Sequence, residues 1–180
     1  MRWDRLFDDL EAQLGAEERR ERDSEVADRT RRERAGVALL DRCAASVGSA
    51  LRVRLVSGAP LRGALLDLGE DWLLLRLETG GDALVPVRAV AAVGGLPARS
   101  ATTRTARRFA LGYALRGLSR DRAPVAVTDV GGHVLTGTID VVGADFLDLA
   151  EHALGESRRE ENVTGRTTLP FSAVQLVESR

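Results

Sequence analysis

One stretch of this chain is present twice. Val53–Leu75 lies without a gap on Val127–Leu149, 74 positions further on, with nine identical pairs in 23. Among them are Val53/Val127, Gly58/Gly132, Gly63/Gly137, Gly69/Gly143, Asp71/Asp145 and Leu75/Leu149, and Trp72 over Phe146 adds an aromatic. At an offset of 84, Val85-Pro86-Val87-Arg88-Ala89-Val90 falls on Leu169-Pro170-Phe171-Ser172-Ala173-Val174, so the second copy holds ten extra residues between the blocks. Two copies are too few for a solenoid, and the pattern is that of a duplicated small module. In 180 residues it predicts two modules of roughly 50 to 60 residues. Modules of that size are marginal alone, so packing between copies or subunits is expected.

Each module reads as β structure. Leu51-Arg52-Val53-Arg54-Leu55-Val56 alternates apolar and basic, as a half-buried strand does. Ser57-Gly58-Ala59-Pro60 turns the chain into a second strand, Leu61–Leu68, in which Gly63 marks a bulge or bend. Trp72–Glu78, Ala83–Val87 and Ala89–Val93 complete five strands, with a short helical turn expected at Pro86. Val125–Val130, Val134–Val142, Phe146–Leu149, Thr167–Phe171 and Ala173–Val177 repeat the set, and the extra residues form a polar insertion over 151–166.

The segments outside the copies read as helix. Trp3, Leu6, Phe7, Leu10 and Leu14 recur at helical spacing, giving an amphipathic face that packs on the protein's own strands or docks a partner. Residues 1–34 hold 11 acidic and 9 basic side chains, the mixture of a solvated helix. Val37, Leu40, Ala44 and Val47 continue helical spacing into the first strand. Between the copies a basic helix is expected, with Ala106, Phe109, Ala110, Tyr113, Ala114 and Leu118 on its buried face. Residues 97–122 carry seven arginines against Asp121, in a chain whose net charge is only −1.

Chemistry is hard to find. All 26 basic residues are arginine, so there is no lysine for a phosphate loop, and no nucleophile elbow or triad pattern occurs. Cys43 is alone, which excludes an intramolecular disulfide and suits a reducing cytoplasm. His133 and His152 have no spaced ligand partners and read as exposed surface residues, and no metal or cofactor is expected. Asp71 and Asp145 occupy equivalent turns, where an aspartate fixes the backbone. No apolar run approaches membrane-spanning length. The expectation is a soluble, unexported, cytoplasmic protein without membrane contact, without an evident small-molecule substrate, and not an enzyme.

A helix followed by a strongly bent five-stranded sheet, with the spacings Gly58-x4-Gly63 and Gly132-x4-Gly137 and a basic helix end running through Arg122-Ala123-Pro124 into a strand, resembles the Sm-like family, especially its bacterial Hfq branch. The proline-led blocks at Pro86 and Pro170 also look like the closing strand of PRC-type, SH3-like barrels. The resemblance implies a mainly β fold with α elements: two tandem five-stranded Sm/SH3-like barrels, each preceded by a helix, plus N-terminal amphipathic helices. The expected division is a charged helical segment at 1–49, a first barrel at 50–96, a basic helical linker at 97–123 and a second barrel at 124–178. The Lys-His pair of the Hfq family's RNA pore is replaced by Val87-Arg88 and Phe171-Ser172, and Gly69 and Gly143 stand where an Sm acidic residue is expected. The family's uridine pocket therefore does not carry over.

Two kinds of partner follow. RNA or another nucleic acid would meet Arg52, Arg54, Arg88, Arg104, Arg107, Arg108, Arg116, Arg120 and Arg122, since arginine binds phosphate and stacks on bases. A protein partner, or a second copy, would dock on Trp3, Leu6, Phe7, Leu10 and Leu14 or on exposed strand edges.

Overall fold

Alternation in the first strand separates two faces. In the computed structural model, β1 (Ala50–Leu55) buries Leu51, Val53 and Leu55 and exposes Ala50, Arg52 and Arg54. The structure describes Glu25, Arg29, Arg31 and residues 35–98, 109–156 and 158–179. Met1–Ala38 is a unit by itself, in which Glu25, Arg29, Arg31 and Ala35 are helical. The docking candidates Trp3, Leu6, Phe7, Leu10 and Leu14, and the basic candidates Arg104, Arg107 and Arg108, lie outside the described residues.

Leu39–Arg180 is the second unit. It opens with a short helix, α1 (Leu39–Ala44), and β1 is followed by β2 (Pro60–Leu68), β3 (Trp72–Leu77), β4 (Asp82–Pro86) and β5 (Val90–Gly94). After α2 (Leu111–Asp121) come β6 (Pro124–Asp129), β7 (Val134–Val142), β8 (Phe146–Glu151), β9 (Gly165–Pro170) and β10 (Val174–Ser179). Pro86 and Pro170 each lead into a single helical turn, Val87–Ala89 and Phe171–Ala173, because proline fixes φ while removing a ladder donor.

The two closed barrels expected from sequence are not what forms. The ten strands make one continuous antiparallel sheet in the order β5-β1-β2-β3-β4-β10-β6-β7-β8-β9, and this sheet does not close. Among the described residues of this unit there are two α-helices, of six and eleven residues. The reason lies in β4, whose outer backbone groups need partners. They find β10, with Val177 opposite Leu84, Glu178 opposite Ala83 and Ser179 opposite Asp82. A joint between the halves thus takes up the edges that closure would have used, leaving β5 and β9 as the outer strands.

Within that sheet the halves repeat one another strand by strand. Val53 opposite Leu61 becomes Val127 opposite Leu135, and the register shift between Leu65 and Asp67 recurs between Ile139 and Val141. Gly63 and Gly137 sit just before these bulges, and a Cβ on either would collide with a backbone carbonyl of the neighbouring strand, Arg76 or Ala150. Bulge and glycine together bend β2 and β7.

Two apolar clusters fill the inner side, and each reaches across the joint. Cys43, Leu51, Val53, Leu55, Leu65 and Leu75 pack with Leu176 from β10, while Trp72 and Leu84 of the first half pack with Leu111, Leu115, Val125, Val127 and Ile139. Burial of a leucine of this kind contributes about 1.5–3 kcal/mol, so the exchanged residues bind the halves into one body. The helices lie on this inner side: Cys43 of α1 and Leu111 and Leu115 of α2 are all buried.

Candidate nucleic-acid interface

Because the odd-numbered residues of β1 face the core, its even-numbered arginines face solvent. Arg52 stands directly opposite Arg62 on β2, and Arg54 opposite Pro60. Alternation along β2 exposes Arg62 just as it exposes Arg52 and Arg54. The flanking positions are small: Arg52 faces Gly94 and Arg54 faces Ala92 on β5. None of the three guanidinium groups forms an ion pair with a described residue. Glu78 lies across from Arg62 and donates its backbone N–H to the Arg62 carbonyl, but its carboxylate makes no ion pair with the guanidinium, and the next arginine on this face, Arg76, is bound to Asp82. In the second half the matching positions are Ala126, Thr128 and Thr136, so the basic face belongs to the first half alone. Arg62 was overlooked in sequence because only β1 shows the basic alternation clearly.

The remaining basic candidates are dispersed. Arg88 lies at the joint, where its guanidinium donates to the Val174 carbonyl at 3.3 Å; partial burial lowers its pKa, against the pull of Asp71. Arg116 donates to the Gly143 carbonyl at 3.1 Å, and Arg122 binds the Asp140 carboxylate at 3.1 Å. Arg120 is exposed on α2. Two arginines not singled out from sequence, Arg158 and Arg166, join Asp140 and Glu160 in an ion-pair network on the polar insertion.

α2 buries only part of the face expected of it: Ala114 and Leu118 pack against the second cluster, and the aromatics do not. Leu111, Gly112 and Leu115 are buried, whereas Phe109 and Tyr113 are 42% and 45% exposed. Their rings stack on each other with centroids 4.0 Å apart and 12° between planes. The helix starts where it does because Asp71 Oδ1 accepts the Leu111 N–H at 2.7 Å, replacing the side-chain cap that Ala110 lacks. The Phe109 carbonyl in turn accepts the Trp72 Nε1–H at 2.9 Å and the Glu70 N–H at 3.2 Å. Starting at Leu111 turns the leucines inward and the aromatic pair outward.

The histidines also part company. His133 is exposed on its turn beside Asp129, whose carboxyl pKa is lowered first by the His133 backbone N–H. His152, expected at the surface, is only 2% exposed. Its Nδ1 donates to the Ala153 carbonyl and its Nε2 meets Thr138 Oγ1, both at 2.8 Å, so a buried polar ring is satisfied by the strand beside it. Burial raises the pKa of the Cys43 thiol. Among the described residues no group of three or more His, Cys, Asp or Glu side chains could hold a metal ion, and no helix is long and apolar enough to cross a membrane.

No family model matches this chain, and no curated protein or solved structure matches it at a significant level.

Proposed function

We propose that this protein is a nucleic-acid-binding protein, with RNA the first candidate, that acts by binding rather than by catalysis. The observation that carries this reading is the outward face of β1 and β2, where Arg52, Arg54 and Arg62 stand together and, among the described residues, no carboxylate is bound to any of them. Guanidinium groups bind phosphate in bidentate fashion and remain charged at any physiological pH. The overall charge of −1 supplies no general attraction, so affinity has to come from this local patch. Three phosphate contacts to a single strand correspond to a slope of roughly −2 in log affinity against log salt. Fluorescence polarisation with labelled RNA between about 25 and 200 mM salt, a span set by the same electrostatic dependence, reads this directly. Replacing all three arginines with glutamine should remove most of the slope. An unchanged slope, or no binding at low salt, rejects the reading.

Assembly with further copies is a second reading, favoured by a separate observation. The free strands β5 and β9 are the repeats of β10 and β4, the two strands that join the halves within the chain. An edge that already has a complementary edge in the same molecule supports head-to-tail pairing between molecules.

A further inference from the structure

The aromatic pair at the start of α2, Phe109 just before the helix and Tyr113 in its first turn, has no part in either core, yet it is held in place. Phe109 is fixed through its carbonyl by Trp72 and Glu70, and Asp71 fixes the next turn at Leu111. Tyr113, Arg116 and Arg120 follow at helical spacing, and with Ser119 and Val142 they line an open cleft of about 300 Å³. That is the small end of the range for ligand sites and suits one flat ring system better than an extended ligand. Arg116 is braced by the Gly143 carbonyl, and Arg120 is exposed beside it.

Resting on the nucleic-acid reading, we propose that this cleft seats one unstacked base of a single-stranded nucleic acid. The base would extend the Phe109–Tyr113 stack from the cleft side, with Arg116 and Arg120 beside the flanking phosphates. Three features point to this occupant. The two rings are already parallel, so a third flat ring adds by the same geometry. The charges at the rim are positive. A base paired within a duplex presents no free face to a side-on cleft, whereas every unstacked base does, which makes the site a selector for single strands over duplex.

The experiment uses the full chain and oligonucleotides of one sequence carrying a single 2-aminopurine, prepared as single-stranded RNA, single-stranded DNA and duplex. Binding of either single strand should quench the 2-aminopurine, and Tyr113→Ala should weaken single-strand binding by about tenfold to a hundredfold, the usual effect of removing one stacking aromatic. Tyr113→Phe should retain both affinity and quenching, and duplex affinity should be the same for all three proteins. Equal quenching by RNA and DNA supports recognition of the base alone; stronger quenching by RNA supports an added contact to the sugar hydroxyl. If single strands and duplex bind alike and Tyr113→Ala changes nothing, while loss of Arg52, Arg54 and Arg62 still weakens binding, the cleft proposal is overturned and the basic-face reading stands. If the native protein binds no nucleic acid at all, both fall. If Tyr113→Ala alters the oligomeric state and leaves nucleic-acid affinity unchanged, the pair is a self-association surface and the proposal is overturned.

Discussion

Asp140 is the residue whose environment speaks most clearly about pH. It occupies the bulge of β7, the place that exposed Leu66 takes in the first half, and it receives Arg158 through two bonds and Arg122 through a third. Its carboxyl is held below the ordinary range, first by the Arg158 hydrogen bonds, which outweigh the opposing effect of burial, and then by the charges of Arg158, Arg122 and Arg166. A carboxyl with a depressed folded pKa adds stability that is fully present above its unfolded value, near 4, and is lost as pH falls through the folded value. The thermal midpoint should therefore drop between about pH 5 and pH 2, a window set by those same reference values. Asp140→Asn should lower the midpoint at pH 7 and make that acid drop shallower, while an acid drop identical to the native one would show that the network contributes nothing. In sequence Asp140 was one acid among 27, because both its partners stand 18 positions away on either side. The glycines Gly63 and Gly137 were easier, since a residue without a side chain at the same place in two copies has a steric cause that can be read directly.

At the scale of elements, strands were legible, and so was the presence of a linker helix but not which way its aromatics face. Alternation and turn glycines place β1 to β5 within about a residue of where they form, because one face of each strand is buried and sequence records that burial. The stretch before β6 allows two helical stripes, one through Phe109 and Tyr113 and one through Leu111 and Leu115, and Ala114 and Leu118, expected with the first, pack with the second. What chooses between them is a hydrogen bond from 40 residues away, the Asp71 cap on Leu111. No local pattern could reveal that. The duplication offers a control, because Asp145 occupies the same turn in the second half and uses only its backbone there, accepting the Phe171 N–H as the Asp71 carbonyl accepts that of Val87. Asp71→Ala should lower stability by about 1 kcal/mol, the usual loss on removing a helix cap, and should speed amide exchange at Leu111. Asp145→Ala, which removes no cap, should be close to neutral in the same urea titration. Equal effects from the two variants would mean that the shared turn matters and the cap does not.

For the molecule as a whole, the decisive feature is the joint between β4 and β10, and it left almost no mark in the sequence. Main-chain pairing between edges is blind to side chains, so the strands announce themselves while their partners do not. One trace exists in hindsight. Within the apolar run Val174-Gln175-Leu176-Val177 a glutamine replaces what is Ala91 in the first copy, and this glutamine is fully buried. Its Oε1 accepts the Ser57 N–H at 3.0 Å and its Nε2 donates to the Asp129 carbonyl at 3.1 Å, tying the first hairpin to the end of β6. Arg88 adds the bond to Val174, and its counterpart in the second copy is Ser172. The free edges therefore match the joint in backbone and lack its two polar fasteners. Carried by the 84-residue offset, the register of the joint would place Val93 of one molecule opposite Thr168 of the next and Gly94 opposite Thr167. If that pairing occurs, installing the missing groups should strengthen it: Ala91→Gln would reach the Gly131 N–H, and Ser172→Arg the Val90 carbonyl. Bonds of these kinds contribute on the order of 1 kcal/mol each, somewhat more for the charged one, so the double variant should associate about tenfold to a hundredfold more tightly than the native chain. Sedimentation velocity across a concentration series checks this, and the size reached separates a closed ring, which saturates, from an open chain of molecules, which does not. Strictly monomeric behaviour of both proteins at every concentration would show that the edges are blunted in solution and that the joint is a private device of one chain. Association of the double variant, abolished by a proline at Thr168, would assign the contact to these two strands, because the pairing of β9 with β8 turns the Thr168 N–H to the free edge and proline removes that donor without touching the fasteners.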